Sequence, residues 1–196
     1  MTENEGRKIQ LPTLEQIETE RNKLKYRREY RKIFLSTIGA LLVVAAIAVL
    51  IATMFLPVLQ VSGTSMEPTL EDGEIIVLRK TDKFKTGELV GFYYQSKILL
   101  KRVIGKAGDY IDMDEEGNVF VNGELIDEPY VLEKSVGECD IEFPYQVPEN
   151  KVFVMGDHRS TSIDSRNSTI GCVDVEQVVG KVMFRVWPFG RLGFLK

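Results

Sequence analysis

Histidine occurs once in these 196 residues, cysteine twice and tryptophan once. Cys139, Cys172 and His158 stand far apart, in no CxxC or Cys/His pattern, so the chain lacks the ligand set of a zinc site. No metal and no cofactor is expected. His158 is also the sole imidazole that could serve a nucleophile, and it sits in a charged loop, where a lone histidine is more often structural or solvated. Positive charge is in short supply too: 25 Lys+Arg stand against 29 Asp+Glu, a net of −4. Residues 34–196 alone carry −7, which argues against nucleic acid as a partner, because phosphate binding needs clustered Lys and Arg. There is no internal repeat and no low-complexity linker, so the length allows one globular domain with appendages.

Charge of either sign is missing from Phe34 to Met66. Phe34 to Leu56 is almost wholly apolar, and its 23 residues reach roughly 35 Å as a helix, enough to cross a hydrocarbon core of about 30 Å. It is too long for the apolar region of a cleaved secretory signal. Arg21, Lys23, Lys25, Arg27, Arg28, Arg31 and Lys32 crowd its N-terminal side, and no Lys or Arg follows before Arg79. The positive-inside rule puts the N-terminus in the cytoplasm and the chain from about residue 58 outside. The expected organisation is a charged cytoplasmic tail over 1–33, a transmembrane signal anchor over 34–57, and an extracytoplasmic domain over 58–196. Outside the cell disulfides persist; Cys139 and Cys172 allow one bridge, and their spacing leaves the pairing open.

Thr13 with Gln16 reads as a capping box opening a helix over 13–32 that runs on into the span, with Pro57 as its stop. After Pro57 the pattern changes. Residues 74–78, 89–94, 98–104, 119–121, 151–155 and 178–186 are rich in β-branched and aromatic side chains. Gly-, Asp- and Asn-containing turns separate them, and Val121-Asn122-Gly123-Glu124 predicts a type I′ hairpin. The only helical pattern after residue 60 lies around Val173 to Val178. The fold class is therefore mainly β, in antiparallel sheets, with one N-terminal transmembrane helix.

Three stretches carry reactive side chains. Ser62-Gly63-Thr64-Ser65-Met66-Glu67-Pro68 offers Ser65 in a turn just beyond the apolar segment. Lys101 lies inside the strand Ile98 to Ile104, sharing a face with Leu99 and Val103. To act as a base near pH 7 it must lose its proton some 3.4 units below the usual 10.4, a shift that burial can supply. The third stretch, Gly156 to Arg166, is a polar loop after an apolar strand. Asp164 can pair with Arg166, Asp157 can pair with Arg159, and Ser162 can orient a neutral lysine. A Ser–His–Asp triad through His158 is the rival reading.

These stretches, in this order and after this anchor, resemble the conserved boxes of type I signal peptidases, in their single-span, Gram-positive-like form. Arg185-Val186-Trp187-Pro188-Phe189-Gly190 is similar to the family's closing segment. The resemblance implies a signal-peptidase-like β fold, Ser65 as nucleophile and Lys101 as general base. It implies that Ser162 orients the lysine, that Asp164 and Arg166 form a structural ion pair, and that Gly156, Asp157 and Arg159 support the loop. Met66 matches a residue that shapes the pocket for a small side chain, and Gly63 and Thr64 belong to the pocket and oxyanion region. Gly63 stands where Gram-negative members carry a serine donor, which leaves the Ser65 N–H as the oxyanion donor in hand. The implied partners are secretory preproteins, cut after small residues at A-x-A-like sites, and the lipid bilayer. Trp187, Pro188 and Phe189 read either as a lipid contact or as a core turn. The alternatives are a processing peptidase dedicated to one substrate, a self-cleaving repressor, which needs a DNA-binding domain and no span, a non-enzymatic anchored binder of signal peptides, which would be expected to lose Ser65 or Lys101, and an anchored adhesin or scaffold.

Overall fold

In a computed structural model, residues 13–195 are described. They fall into two units, one up to Ile51 and one from Ala52 onward. The first is the body of a single helix, α1 (Leu14–Phe55). Its start is set by the capping box: Thr13 N–H donates to Gln16 Oε1 (3.0 Å) and Gln16 N–H to Thr13 Oγ1 (3.4 Å). The helix has 42 residues, about 63 Å in length, and none of them is buried. It is long and apolar enough to cross a membrane.

The second unit is built from β1 (Val58–Gln60), β2 (Ile75–Arg79), β3 (Leu89–Tyr94), β4 (Lys97–Lys106), β5 (Tyr110–Met113), β6 (Val119–Val121), β7 (Glu124–Leu125), β8 (Tyr145–Gln146), β9 (Lys151–Met155), β10 (Val173–Asp174), β11 (Val178–Trp187) and β12 (Gly193–Phe194). All pairings are antiparallel. The larger sheet runs β1-β2-β11-β3-β4-β9-β10, with β12 on β11, and the smaller runs β7-β6-β5-β8. Asn122 (φ 53°) and Gly123 (φ 82°) make the tight β6–β7 turn, both in the left-handed region that a type I′ turn requires. Around Val173–Val178 the structure has β10 and one 3₁₀ turn (Val175–Gln177) instead of a helix, since three residues hold only a single turn.

The apolar core forms three clusters. Met66, Leu70, Ile76, Leu78, Leu89 and Val182 pack the segment after β1 onto the larger sheet. Val90, Phe92, Val103, Val152 and Val154 fill a second cluster. Ile104, Ile111, Val119, Val147, Phe153 and Met155 join the two sheets. Phe189 is 70% exposed and stacks edge-on against half-exposed Trp187 (4.9 Å), so this corner is not a core turn. Cys139 and Cys172 are both free thiols.

Candidate active site

Ser65 sits on the turn between β1 and β2, anchored from below by Met66 and Leu70, which are buried. Lys101 lies midway along β4, paired with Val90 of β3. The third contributor is the loop leaving β9 at Gly156. β4 pairs with β9 from Arg102↔Met155 onward, so the register carries this loop alongside Lys101.

Gly156 makes the close fit possible. A β-carbon there would collide with Ser162 and come within 2.5 Å of the Ser65 carbonyl oxygen. That carbonyl accepts the His158 backbone N–H (3.1 Å), so the Ser65 turn is pinned to the loop. Lys101 Nζ reaches Ser65 Oγ at 2.8 Å. The lysine is 3% exposed. Burial pulls its pKa from 10.5 down to about 8; Asp164 opposes this, Arg166 adds to it, and Asp157 opposes it.

The remaining polar side chains form buried, satisfied pairs. Arg166 grips Asp164 through Nε (2.9 Å) and Nη2 (2.8 Å), and both are fully buried. Burial pushes the Asp164 carboxyl up, but Arg166, the Gly156 N–H and the Ser162 hydroxyl outweigh it and hold it below the usual carboxylate range. Ser162 Oγ donates to Asp164 Oδ2 (2.7 Å), and no hydrogen bond joins it to Lys101 among the described residues.

The expected pairing of Asp157 with Arg159 does not form. Arg102 of β4 claims Asp157 instead, with Nε at 2.8 Å and Nη2 at 2.6 Å, and its guanidinium lies 3.8 Å above the Tyr130 ring. Thr69 Oγ1 also donates to Asp157 (2.5 Å), which ties the Ser65 segment to the same carboxylate. Arg159 turns to Glu128, and both side chains are out of solvent. The reason is reach: Arg102 emerges beside Asp157, whereas the Arg159 Nε bonds the Gly156 carbonyl (3.1 Å) and points its fork toward Glu128. Sequence reasoning passed over Arg102, Thr69, Glu128 and Tyr130. Arg102 carried one signal, a second cation in an apolar strand; Glu128 carried none.

Gly63 adopts φ +94° and gives its N–H to Asp72 Oδ1 (2.8 Å). It is therefore spent as an oxyanion donor. The Ser65 N–H makes no hydrogen bond among the described residues. Thr64 is exposed, and its carbonyl meets the His158 Nδ1 at 3.3 Å, so the imidazole faces backbone rather than Ser65 Oγ. Beside Ser65 and Lys101 a cleft of about 120 Å³ is lined by Leu59, Val61, Gly63, Met66 and Leu100. It lies between two unpaired strand edges: β1 ends its sheet, and β4 before Arg102 pairs only with β3.

A serine hydroxyl and a buried lysine amine at hydrogen-bond distance, a backbone N–H beside them with no partner among the described residues, and a groove edged by strands suit peptide-bond cleavage through a serine. The chain is a hydrolase of the serine peptidase class. The family model for signal peptidase, peptidase S26, matches residues 34–187, and the chain belongs to that family. A signal peptidase I of Bacillus licheniformis is 38% identical over 169 residues, covering 79% of this chain and 89% of its own length. One from Bacillus amyloliquefaciens is 35% identical, over 78% of this chain and 88% of its own. A solved signal peptidase I from Enterococcus faecalis V583 aligns at 23% identity with a TM-score of 0.43, over 50% of this chain and 96% of that one. With α1, the one helix among the described residues long and apolar enough to cross a membrane, this peptidase is a membrane-anchored protein.

Proposed function

We propose that the protein is a membrane-bound endopeptidase that removes N-terminal signal peptides from secreted preproteins with a Ser65–Lys101 dyad. The observation that carries this reading is the 2.8 Å approach of the buried Lys101 Nζ to Ser65 Oγ at the floor of a cleft. Lys101 in its neutral form takes the Ser65 proton as the oxygen attacks the scissile carbonyl. The Ser65 N–H supports the oxyanion. The lysine ammonium then protonates the departing amine, which leaves the signal peptide esterified to Ser65. Lys101, neutral again, takes a proton from water as the water oxygen attacks the ester; the Oγ–C bond then breaks, the ammonium returns that proton to Ser65 Oγ, and the peptide leaves with a free carboxyl end. Ser162, Asp164 and Arg166 hold the charge pattern around the lysine; Gly156, Asp157 and Arg159 hold the loop against the serine.

The substrate lies extended between the edges of β1 and β4, bonded through its backbone. The small volume beside Met66 accepts alanine-sized side chains, in line with cleavage at A-x-A-like sites. The basic flank keeps residues 1–33 in the cytoplasm, residues 34–57 cross the bilayer, and the domain from 58 to 196 works outside, where the signal's apolar part is already in the membrane. The test is cleavage of a preprotein with an Ala-x-Ala site, in lipid, by wild type, Ser65→Ala and Lys101→Ala. Loss in both folded variants supports the dyad. Processing that survives in Lys101→Ala refutes lysine as base, and a folded but inactive wild type refutes general signal-peptide removal.

A further inference from the structure

A second and larger cleft, of about 460 Å³, opens on the other side of the same two reactive atoms. It shares Ser65, Leu99 and Lys101 with the first, and Leu99 stands between them. Its apolar wall comes from Tyr94 and Leu99 of the β3–β4 hairpin and from Ile163 and Ile170 of the polypeptide after β9. The hairpin and that segment are tied across the cleft, since the Tyr94 hydroxyl donates to the Thr169 carbonyl (3.1 Å). Ile163 is the unexpected member. Its neighbours Ser162 and Asp164 are buried, yet this isoleucine is 47% exposed at the mouth of the cleft. The loop turns its polar groups inward and presents an apolar side chain to solvent.

We infer that this cleft binds the first residues of the mature chain, on the leaving side of the scissile bond, and selects an apolar side chain there. The inference rests on the peptidase reading above. The sides are assigned by the chain itself. The small cleft is lined by Leu59 to Gly63, which follow directly on the anchor helix, so the membrane-held acyl side of the substrate belongs there. The larger cleft contains none of those residues. Continuity through Ser65 leaves it the amine side, and its openness suits a product that must depart before water reaches the ester.

The experiment uses the full-length enzyme in lipid and two sets of substrates that share one Ala-x-Ala signal. In one set the first two residues after the cut are glycine; in the other, leucine replaces glycine at either position. Partial burial of one leucine side chain sets the expectation of about a tenfold higher kcat/KM at one of the two positions. In Ile163→Asp that preference falls to within about twofold. Equal cleavage of all substrates by wild type, or a preference that survives Ile163→Asp, overturns the inference and leaves the peptidase reading standing. So does an equal loss on every substrate, because that marks a structural role for Ile163. Failure of wild type to cut any of them counts against the peptidase reading itself.

Discussion

Replacing Lys101 with methionine should make the protein more stable, by an amount that pH sets. The folded chain holds this side chain 3% exposed with a pKa near 8, against 10.5 for an ordinary lysine. At about 1.36 kcal/mol per unit, keeping the ammonium in its niche costs the native state about 3 kcal/mol below pH 8. Between pH 8 and 10.5 the unfolded chain binds the proton that the folded chain has released, so stability rises with pH and the penalty fades. Methionine has a similar stem and no charge, and so never carries the penalty. The variant should exceed wild type by about 3 kcal/mol at pH 6, about 2 at pH 9 and under about 1 at pH 10. Urea unfolding of the full chain in detergent micelles reads this directly through Trp187, the one tryptophan, half-exposed on β11. Other titrating groups cancel in the comparison. A gap that does not change with pH, or a wild type more stable than the variant at pH 6, refutes burial as the source of the lysine's low pKa.

With Lys101 as the proposed base, kcat/KM should rise along an ascending limb centred near pH 8, and a limb near 10.5 would show an unperturbed lysine. Gly156→Ala should cost about 1–3 kcal/mol in urea unfolding and most of the peptidase activity, because the new methyl displaces the Ser65 carbonyl or Ser162; unchanged activity would mean that the nucleophile turn tolerates movement. Arg159→Met strands the buried Glu128 carboxylate and should lose about 3–5 kcal/mol, with much of it regained in Arg159→Met/Glu128→Met; a double variant as weak as the single would contradict this.

What the sequence makes legible follows from periodicity and local chemistry. The charge-free run from Phe34 and the Thr13–Gln16 box mark α1, and β-branched alternation marks the long strands of the larger sheet. Ser65 and Lys101 stand out by their surroundings, a turn after an apolar run and a cation within one, and they lie 2.8 Å apart. Pairings across long gaps leave no such trace. Asp157 is 55 residues from Arg102, and Arg159 is 31 from Glu128, so the nearby guanidinium looked like the natural partner for Asp157. β7, β8, β10 and β12, at two residues each, are too short to show an alternation. The loss of the Gly63 N–H to Asp72 depends on a left-handed backbone angle that spacing does not reveal.

The strand order also decides when the two halves of the larger sheet can join during synthesis. Ser65 belongs to the β1–β2 side of the larger sheet and Lys101 to the β3–β4 side, and the hydrogen-bonded path between them runs through β11. β11 is the last long strand to leave the ribosome, and its Arg185 Nη2 donates to the Thr69 carbonyl in the Ser65 segment. A nascent chain that stops short of residue 178 already carries Ser65 and Lys101 but lacks the strand that seats one half against the other. Assembly of the Ser65–Lys101 pair therefore waits on β11, and a chain truncated before residue 178 should show no peptidase activity.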